Sequence, residues 1–208
     1  MQELKEQFSN ICQKLYAKGL SPGFSGNISL KIDNKILVTP SGISLGDVDT
    51  EKLVIIDFEG NKIEGNFKPT SEKFLHIEIY KKRPDINAII HCHAPKISAF
   101  AVAGIPLDEP ILAENVLLFG EIPIAKYAMP SSGVLAEIVS SYFTEHDAVL
   151  MANHGVVTGG KDLKDAFYKM ETIEYCAEVY LYAKFLGNIN HLTQEEAKQV
   201  IELRKTRH

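Results

Sequence analysis

The sequence predicts one α/β domain spanning residues 1–208, built around a sheet that is at least partly antiparallel. Three observations predict it. Several long segments carry apolar residues at helical spacing, and between them lie short apolar or alternating runs rich in Ile and Val. Two of those runs are separated only by Asp33-Asn34, the length of a hairpin turn. No linker, repeat or low-complexity stretch divides the chain.

Residues 2–18 form an expected amphipathic helix, with Leu4, Phe8, Ile11, Cys12, Leu15 and Tyr16 at helical spacing and Gly19 suited to its C-terminal end. A loop of small residues, Ser21 to Asn27, leads into alternating Ile28–Ile32, the Asp33-Asn34 turn and a second strand, Lys35–Thr39. Thr39-Pro40-Ser41-Gly42 ends that hairpin, and Leu53–Asp57 is a further strand, closed by the turn Glu59-Gly60-Asn61. Lys68-Pro69-Thr70-Ser71-Glu72 opens a helix to about Lys82, with Thr70 or Ser71 as its expected N-cap. Ala88–Ala94 reads as a buried strand followed by a short helix, Pro95–Ala103, and Ile122–Ala125 as a short strand. Ser132–Phe143 fits a helix with Val134, Leu135, Ile138 and Val139 on or near its buried face. Ala148–Ala152 is a fully apolar strand. The long helix 162–186 carries its core stripe on Leu163, Ala166, Phe167, Met170, Ile173 and Ala177, and Thr193-Gln194-Glu195-Glu196 is a capping box for a last helix.

The bulk numbers exclude several classes of function. A net charge of −5 offers no basis for a nucleic-acid or anionic-membrane partner. No apolar run approaches the roughly 20 residues that cross a bilayer, and the first six residues lack a signal-peptide core, so the cytoplasm is expected. Cys12, Cys92 and Cys176 are odd in number and far apart, as expected of reduced thiols.

The chemistry centres on His91-Cys92-His93. On a strand, alternate side chains share a face, so two imidazoles can reach one divalent ion while Cys92 turns away. Two unrelated polar residues at a strand end would show the same spacing. His154, at the end of the second apolar strand, supplies a third imidazole, and Gly155 is expected to let the backbone turn sharply after it. Glu72 lies where a helix N-terminus favours negative charge, among hydroxyls and N–H groups that suit an anion. The loops Ser25-Gly26-Asn27 and Thr39 to Gly42 are small enough to approach a phosphate closely. Each feature also has a plain structural reading as a turn or a first-turn residue.

Taken together, Gly26-Asn27-Ile28-Ser29, Thr39-Pro40-Ser41-Gly42, Pro69-Thr70-Ser71-Glu72, His91-Cys92-His93 and Asn153-His154-Gly155 resemble, in that order, the motifs of the class II aldolase/adducin-head family over about residues 5–187. The resemblance implies a three-layer α/β/α fold with a central, mainly antiparallel sheet. It implies a homotetramer with active sites at subunit interfaces. By motif, His91, His93 and His154 match zinc ligands, and Glu72 matches a further ligand that doubles as acid/base. Gly26, Asn27, Ser41, Gly42, Thr70 and Ser71 match the residues that hold a substrate phosphate. One divalent metal ion per subunit follows; zinc suits the ligands, and manganese, cobalt or iron could occupy the same set.

The implied activity is metal-dependent cleavage of a ketose 1-phosphate, of the L-fuculose or 5-deoxypentulose type, to dihydroxyacetone phosphate and an aldehyde. A sugar-phosphate 4-epimerase, a methylthioribulose-1-phosphate dehydratase, a metal-free scaffold like the adducin head and a purely structural metal are the alternatives. Glutamate rather than aspartate at position 72 favours the lyase. One departure concerns the aldehyde side: Leu112 stands where the family aldolase has a tyrosine, leaving Glu114 and Tyr127 as candidate proton donors. Fewer polar groups there suggest a less hydroxylated aldehyde.

Overall fold

Asp33 takes a left-handed φ of 52° in the two-residue turn, and Ile32 pairs with Lys35 across it. The hairpin it closes, β1 (Asn27–Ile32) and β2 (Lys35–Val38), lies in the interior of the sheet in a computed structural model that describes residues 1–206. Outward from β2 come β3 (Val54–Ile56) and the exposed β4 (Lys62–Glu64). On the other side of β1 lies β5 (Ala88–Cys92). Beyond β5 come β8 (Gly155–Gly160), β7 (Ala148–Met151) and the two-residue β6 (Ile124–Ala125). Among the described residues the sheet has eight strands, and every pair is antiparallel except β6 with β7.

Strand alternation sends side chains to two cores. Ile28, Leu30, Ile90, Cys92 and Leu150 join α1 (Gln2–Ala17), α3 (Pro95–Ala103) and α6 (Leu163–Leu186) on one face. Ile36, Val38, Ile89, Val149 and Met151 join α2 (Lys73–Lys82) and α5 (Gly133–Tyr142) on the other. Three layers result, as the family resemblance implies. Cys12, Cys92 and Cys176 are buried and free. The short α4 (Ala113–Leu118) and the final α7 (Gln194–Thr206) pack together. At the start of α7, Thr193 and Glu196 exchange the reciprocal bonds of a capping box.

Several expectations need correction. β4, α4 and β8 have no counterpart in the sequence reading. Val134 is 60% exposed, because on α5 it falls outside the stripe formed by Leu135, Ala136 and Val139. The N-cap of α2 is neither Thr70 nor Ser71 but Glu72, whose side chain makes no capping bond. Thr70 instead accepts the Glu72 N–H through its hydroxyl, 3.3 Å away, one position before the helix begins. No helix among the described residues is long and apolar enough to cross a membrane.

Candidate metal centre

Three strand ends and one helix start converge. His91 is the fourth residue of β5 and stands on the Ile89 side of the sheet, toward α2. His93 lies just past the last residue of β5, and His154 sits in the turn between β7 and β8. The three ring centroids are 4.8, 4.8 and 5.1 Å apart, and their ligand nitrogens all fall within 4.8 Å of one another. The turn at His154 is made differently from expectation. Asn153 takes the left-handed φ, 56°, whereas Gly155 is already the first residue of β8. Glycine is required there for space: a Cβ would come 2.5 Å from the Cys92 carbonyl oxygen and 2.9 Å from the His93 ring.

The backbone orients the imidazoles. His91 Nδ1–H donates to the Val156 carbonyl at 2.9 Å, which leaves the Nε2 lone pair directed at the cluster. His93 Nε2 lies 3.0 Å from it. Glu72 completes the group, with Oε2 3.2 Å from His91 Nε2 and Oε1 3.6 Å from His154 Nε2. Four ligands held about 2.0–2.1 Å from a tetrahedral zinc sit roughly 3.3 Å from one another. The observed separations bracket that edge. Glu72 Oε1 is buried and has no hydrogen-bond partner, an arrangement that costs about 1–3 kcal/mol unless another group satisfies it. An ion at the centre of the four donors would do so, and the residues therefore fit a divalent cation.

Electrostatics suit the same purpose. Burial alone would raise the Glu72 carboxyl. The facing imidazoles of His91 and His154 and the Asn27 amide outweigh it and hold the group well below the usual carboxylate range. Burial pushes His91 and His93 down. At neutral pH the site therefore offers one carboxylate and the neutral imidazole lone pairs of His91 and His93, the protonation a metal needs of its ligands.

The loops meet beside this cluster. The Ser41 N–H donates to the Lys68 carbonyl at 2.8 Å and the Thr70 N–H to the Thr39 carbonyl at 3.0 Å, zipping the two small-residue loops together. Gly26, with a φ of 78°, lies against β5, where a Cβ would come 2.9 Å from the His91 carbonyl oxygen. A cavity of about 210 Å³ results, lined by Gly26, Asn27, Ser41, Gly42, Thr70, Ser71, Glu72, His91, His93 and His154 together. Among the described residues no lysine or arginine lines it; hydroxyls and amides are its polar lining beside the cluster. Glu114, Tyr127 and Leu112 do not line it. Leu112 packs against the α1–α3–α6 core instead. Sequence reasoning missed Ser131, which lines the cavity with a φ of 64°; the Pro130-Ser131-Ser132 run was the available signal. It also missed His76, fully buried on α2, whose imidazole burial holds down to about 3.

The chain is similar to known proteins. The Class II Aldolase and Adducin N-terminal domain family matches residues 6–181. An L-fuculose phosphate aldolase of Methanocaldococcus jannaschii is 41% identical over 177 residues, 85% of this chain and 95% of that protein. A 3-oxo-tetronate 4-phosphate decarboxylase of Haemophilus influenzae is 35% identical over 94% of this chain and 95% of its own length. A 5-deoxy-D-ribulose 1-phosphate aldolase of Bacillus thuringiensis is 32% identical over 96% and 94%. A solved L-fuculose 1-phosphate aldolase superposes with a TM-score of 0.91 at 31% identity, covering 99% of this chain and 97% of that one. With the family matched from residue 6 to 181 and relatives above 30% identity along nearly the whole sequence, the chain belongs to the class II aldolase and adducin N-terminal domain family.

Proposed function

We propose that the chain is a metal-dependent aldehyde-lyase that cleaves a ketose 1-phosphate to dihydroxyacetone phosphate and an aldehyde. The observation that carries this reading is the Glu72 carboxylate, unsatisfied at Oε1 and grouped with three imidazoles in a cavity that hydroxyls and amides also line. His91, His93, His154 and Glu72 would hold one divalent ion, zinc best matching the nitrogen-rich set, with manganese, cobalt or iron able to occupy it. That ion supplies Lewis-acid stabilisation of the negative charge that develops on the ketose oxygens.

The chain's own residues do the rest. Gly26, Asn27, Ser41, Gly42, Thr70 and Ser71 hold the phosphate through neutral N–H and O–H donors at the entrance to α2. The phosphate fixes C1, and so places C3 beside Glu72. As the C3–C4 bond breaks, its electron pair stays on the C3 side, the C4 hydroxyl gives its proton to water, and C4 becomes the aldehyde. Glu72, having taken a proton from water, delivers it to C3. Among substrates, the 5-deoxy-D-ribulose 1-phosphate aldolase relative supports one that yields a short, less hydroxylated aldehyde, such as 5-deoxypentulose 1-phosphate.

The decarboxylase relative favours a second reading. Removing CO2 from a 3-oxo-tetronate 4-phosphate leaves an electron pair on the carbon beside a ketone and, after protonation, also yields dihydroxyacetone phosphate. The triose phosphate alone does not separate the two; the co-product does. A screen of ketose 1-phosphates and 3-oxo acid phosphates, following dihydroxyacetone phosphate together with aldehyde and CO2, is expected to give aldehyde with the ketoses. CO2 from the oxo acid and no aldehyde from any ketose would favour the decarboxylase.

A homotetramer with active sites at subunit interfaces belongs to the same reading. Large exposed apolar side chains support an oligomer: Phe185 and Leu186 are 92% and 85% exposed.

A further inference from the structure

Behind the Glu72 carboxylate lies a buried polar ladder, of which only Glu72 and Asn27 line the cavity. Glu72, His76 and Tyr80 recur every four residues from the N-cap of α2 onward, and Asn27 and Ser29 stand two apart on β1. Four helical residues advance about 6 Å, and two strand residues about 6.8 Å. The rungs of helix and strand therefore stay in step. Asn27 Nδ2 is 3.0 Å from Glu72 Oε2, and Asn27 Oδ1 is 2.6 Å from His76 Nε2. His76 Nδ1 is 2.7 Å from Ser29 Oγ, which is 2.7 Å from the Tyr80 hydroxyl. His76 and Ser29 are fully buried.

Chemistry fixes the direction of every bond. An ionised carboxylate only accepts, so Asn27 donates to Glu72 through its NH2 group and turns its carbonyl to His76. That carbonyl also only accepts, so His76 carries its hydrogen on Nε2 and offers Nδ1 to the Ser29 hydroxyl. The Ser29 oxygen in turn accepts from Tyr80, 2.7 Å away, the nearer of that hydroxyl's two acceptors; the Asn87 carbonyl lies at 3.3 Å. All donors point toward Glu72. An amide stands between His76 and Glu72, and an amide does not pass a proton on as an imidazole or hydroxyl does. The ladder orients; it does not shuttle.

We propose that His76 is a positioning residue: by fixing the Asn27 amide it sets the direction of the Glu72 carboxylate, and with it the carboxylate side of the ligand cluster and the point from which Glu72 exchanges its proton. The proton-exchange half rests on the aldolase reading above, whereas the ligand-orienting half does not.

His76→Gln keeps a donor for Asn27 and an acceptor for Ser29; His76→Phe fills similar volume with neither. In metal-free protein at neutral pH, long-range 1H–15N spectra should show His76 as the Nε2–H tautomer. The Nδ1–H tautomer would overturn the assignment. Cobalt titrations followed by visible absorption should show His76→Phe binding about 10–100-fold more weakly, with His76→Gln within about three-fold of the unsubstituted protein. With a ketose 1-phosphate, His76→Phe should lower kcat and leave KM nearly unchanged. Cobalt affinity unaltered in His76→Phe, or lost equally in both variants, would contradict the proposal, since a merely structural role gives no rescue by glutamine. Should His76→Phe fail to fold, Ser29→Ala removes the next link by one oxygen; mixed tautomers and a smaller loss of cobalt affinity are expected, and no change in either overturns the ladder. If the cobalt and tautomer results hold while no ketose phosphate is cleaved by any form, His76 orients the ligand cluster and the aldolase reading is what fails.

Discussion

Acidifying the metal-free protein to pH 4.5 should cost about 3 kcal/mol of stability through His76 alone. Burial holds this imidazole down to about 3, against 6.5 for the exposed ring. Above pH 6.5 neither state binds the proton, and His76 adds no pH dependence. Below it the unfolded chain takes up a proton that the folded chain refuses until about pH 3, so stability falls steadily through that window. Each pH unit there costs about 1.4 kcal/mol, and two of them lie between 6.5 and 4.5. Against a typical total of about 5–15 kcal/mol the loss is large. Urea unfolding at pH 7 and pH 4.5, at one protein concentration, should show the unsubstituted chain losing about 3 kcal/mol more than His76→Gln, which has no such group to titrate. Equal losses in the two proteins would refute the reasoning, because His76 would then be titrating normally in the fold.

Other outcomes follow from the same geometry. Glu72→Gln keeps the shape and removes the base, so kcat on a ketose 1-phosphate should fall by about 10²–10⁴ with little change in KM, measured by initial rates at saturating metal. Glu174, buried on α6, accepts the Lys96 and Ile97 N–H groups at 3.0 Å each and so caps α3, which starts two residues after His93. Glu174→Ala strands both donors and should lower stability by about 2–4 kcal/mol, read from urea unfolding, and weaken cobalt binding through the displaced His93. Light scattering of the purified protein should report the mass of four chains; a monomer would remove the interface from the proposed site.

Much of the fold was legible because its periods are clean. Ile28 and Leu30 face one core while Ile36 and Val38 face the other, and the α6 stripe from Leu163 to Ala177 is buried as its spacing predicts. The misses have physical causes. β8 ends in Thr158-Gly159-Gly160, and paired glycines read as a turn; here a Cβ at Gly160 would lie 2.4 Å from the Ala166 nitrogen, so glycine serves close packing of α6 on the sheet. β4 is wholly exposed and carries no alternation to detect. Thr70 had the chemistry of an N-cap, but helix α2 starts later, with Glu72 at the N-cap and its carboxylate turned to the histidines. The ten candidate residues were identified from five short motifs, and the cavity gathers all ten. The ladder behind them was not legible, since Glu72-x3-His76-x3-Tyr80 and Asn27-x-Ser29 are informative only once β1 and α2 are known to face each other.

The most direct test is a carbon balance on a ketose 1-phosphate with zinc-loaded protein, before and after chelation. The account predicts one dihydroxyacetone phosphate and one aldehyde per ketose consumed, ceasing when the metal is stripped and returning when it is restored. Cleavage that survives complete removal of metal, or CO2 from an oxo acid phosphate with no aldehyde from any ketose, would contradict it.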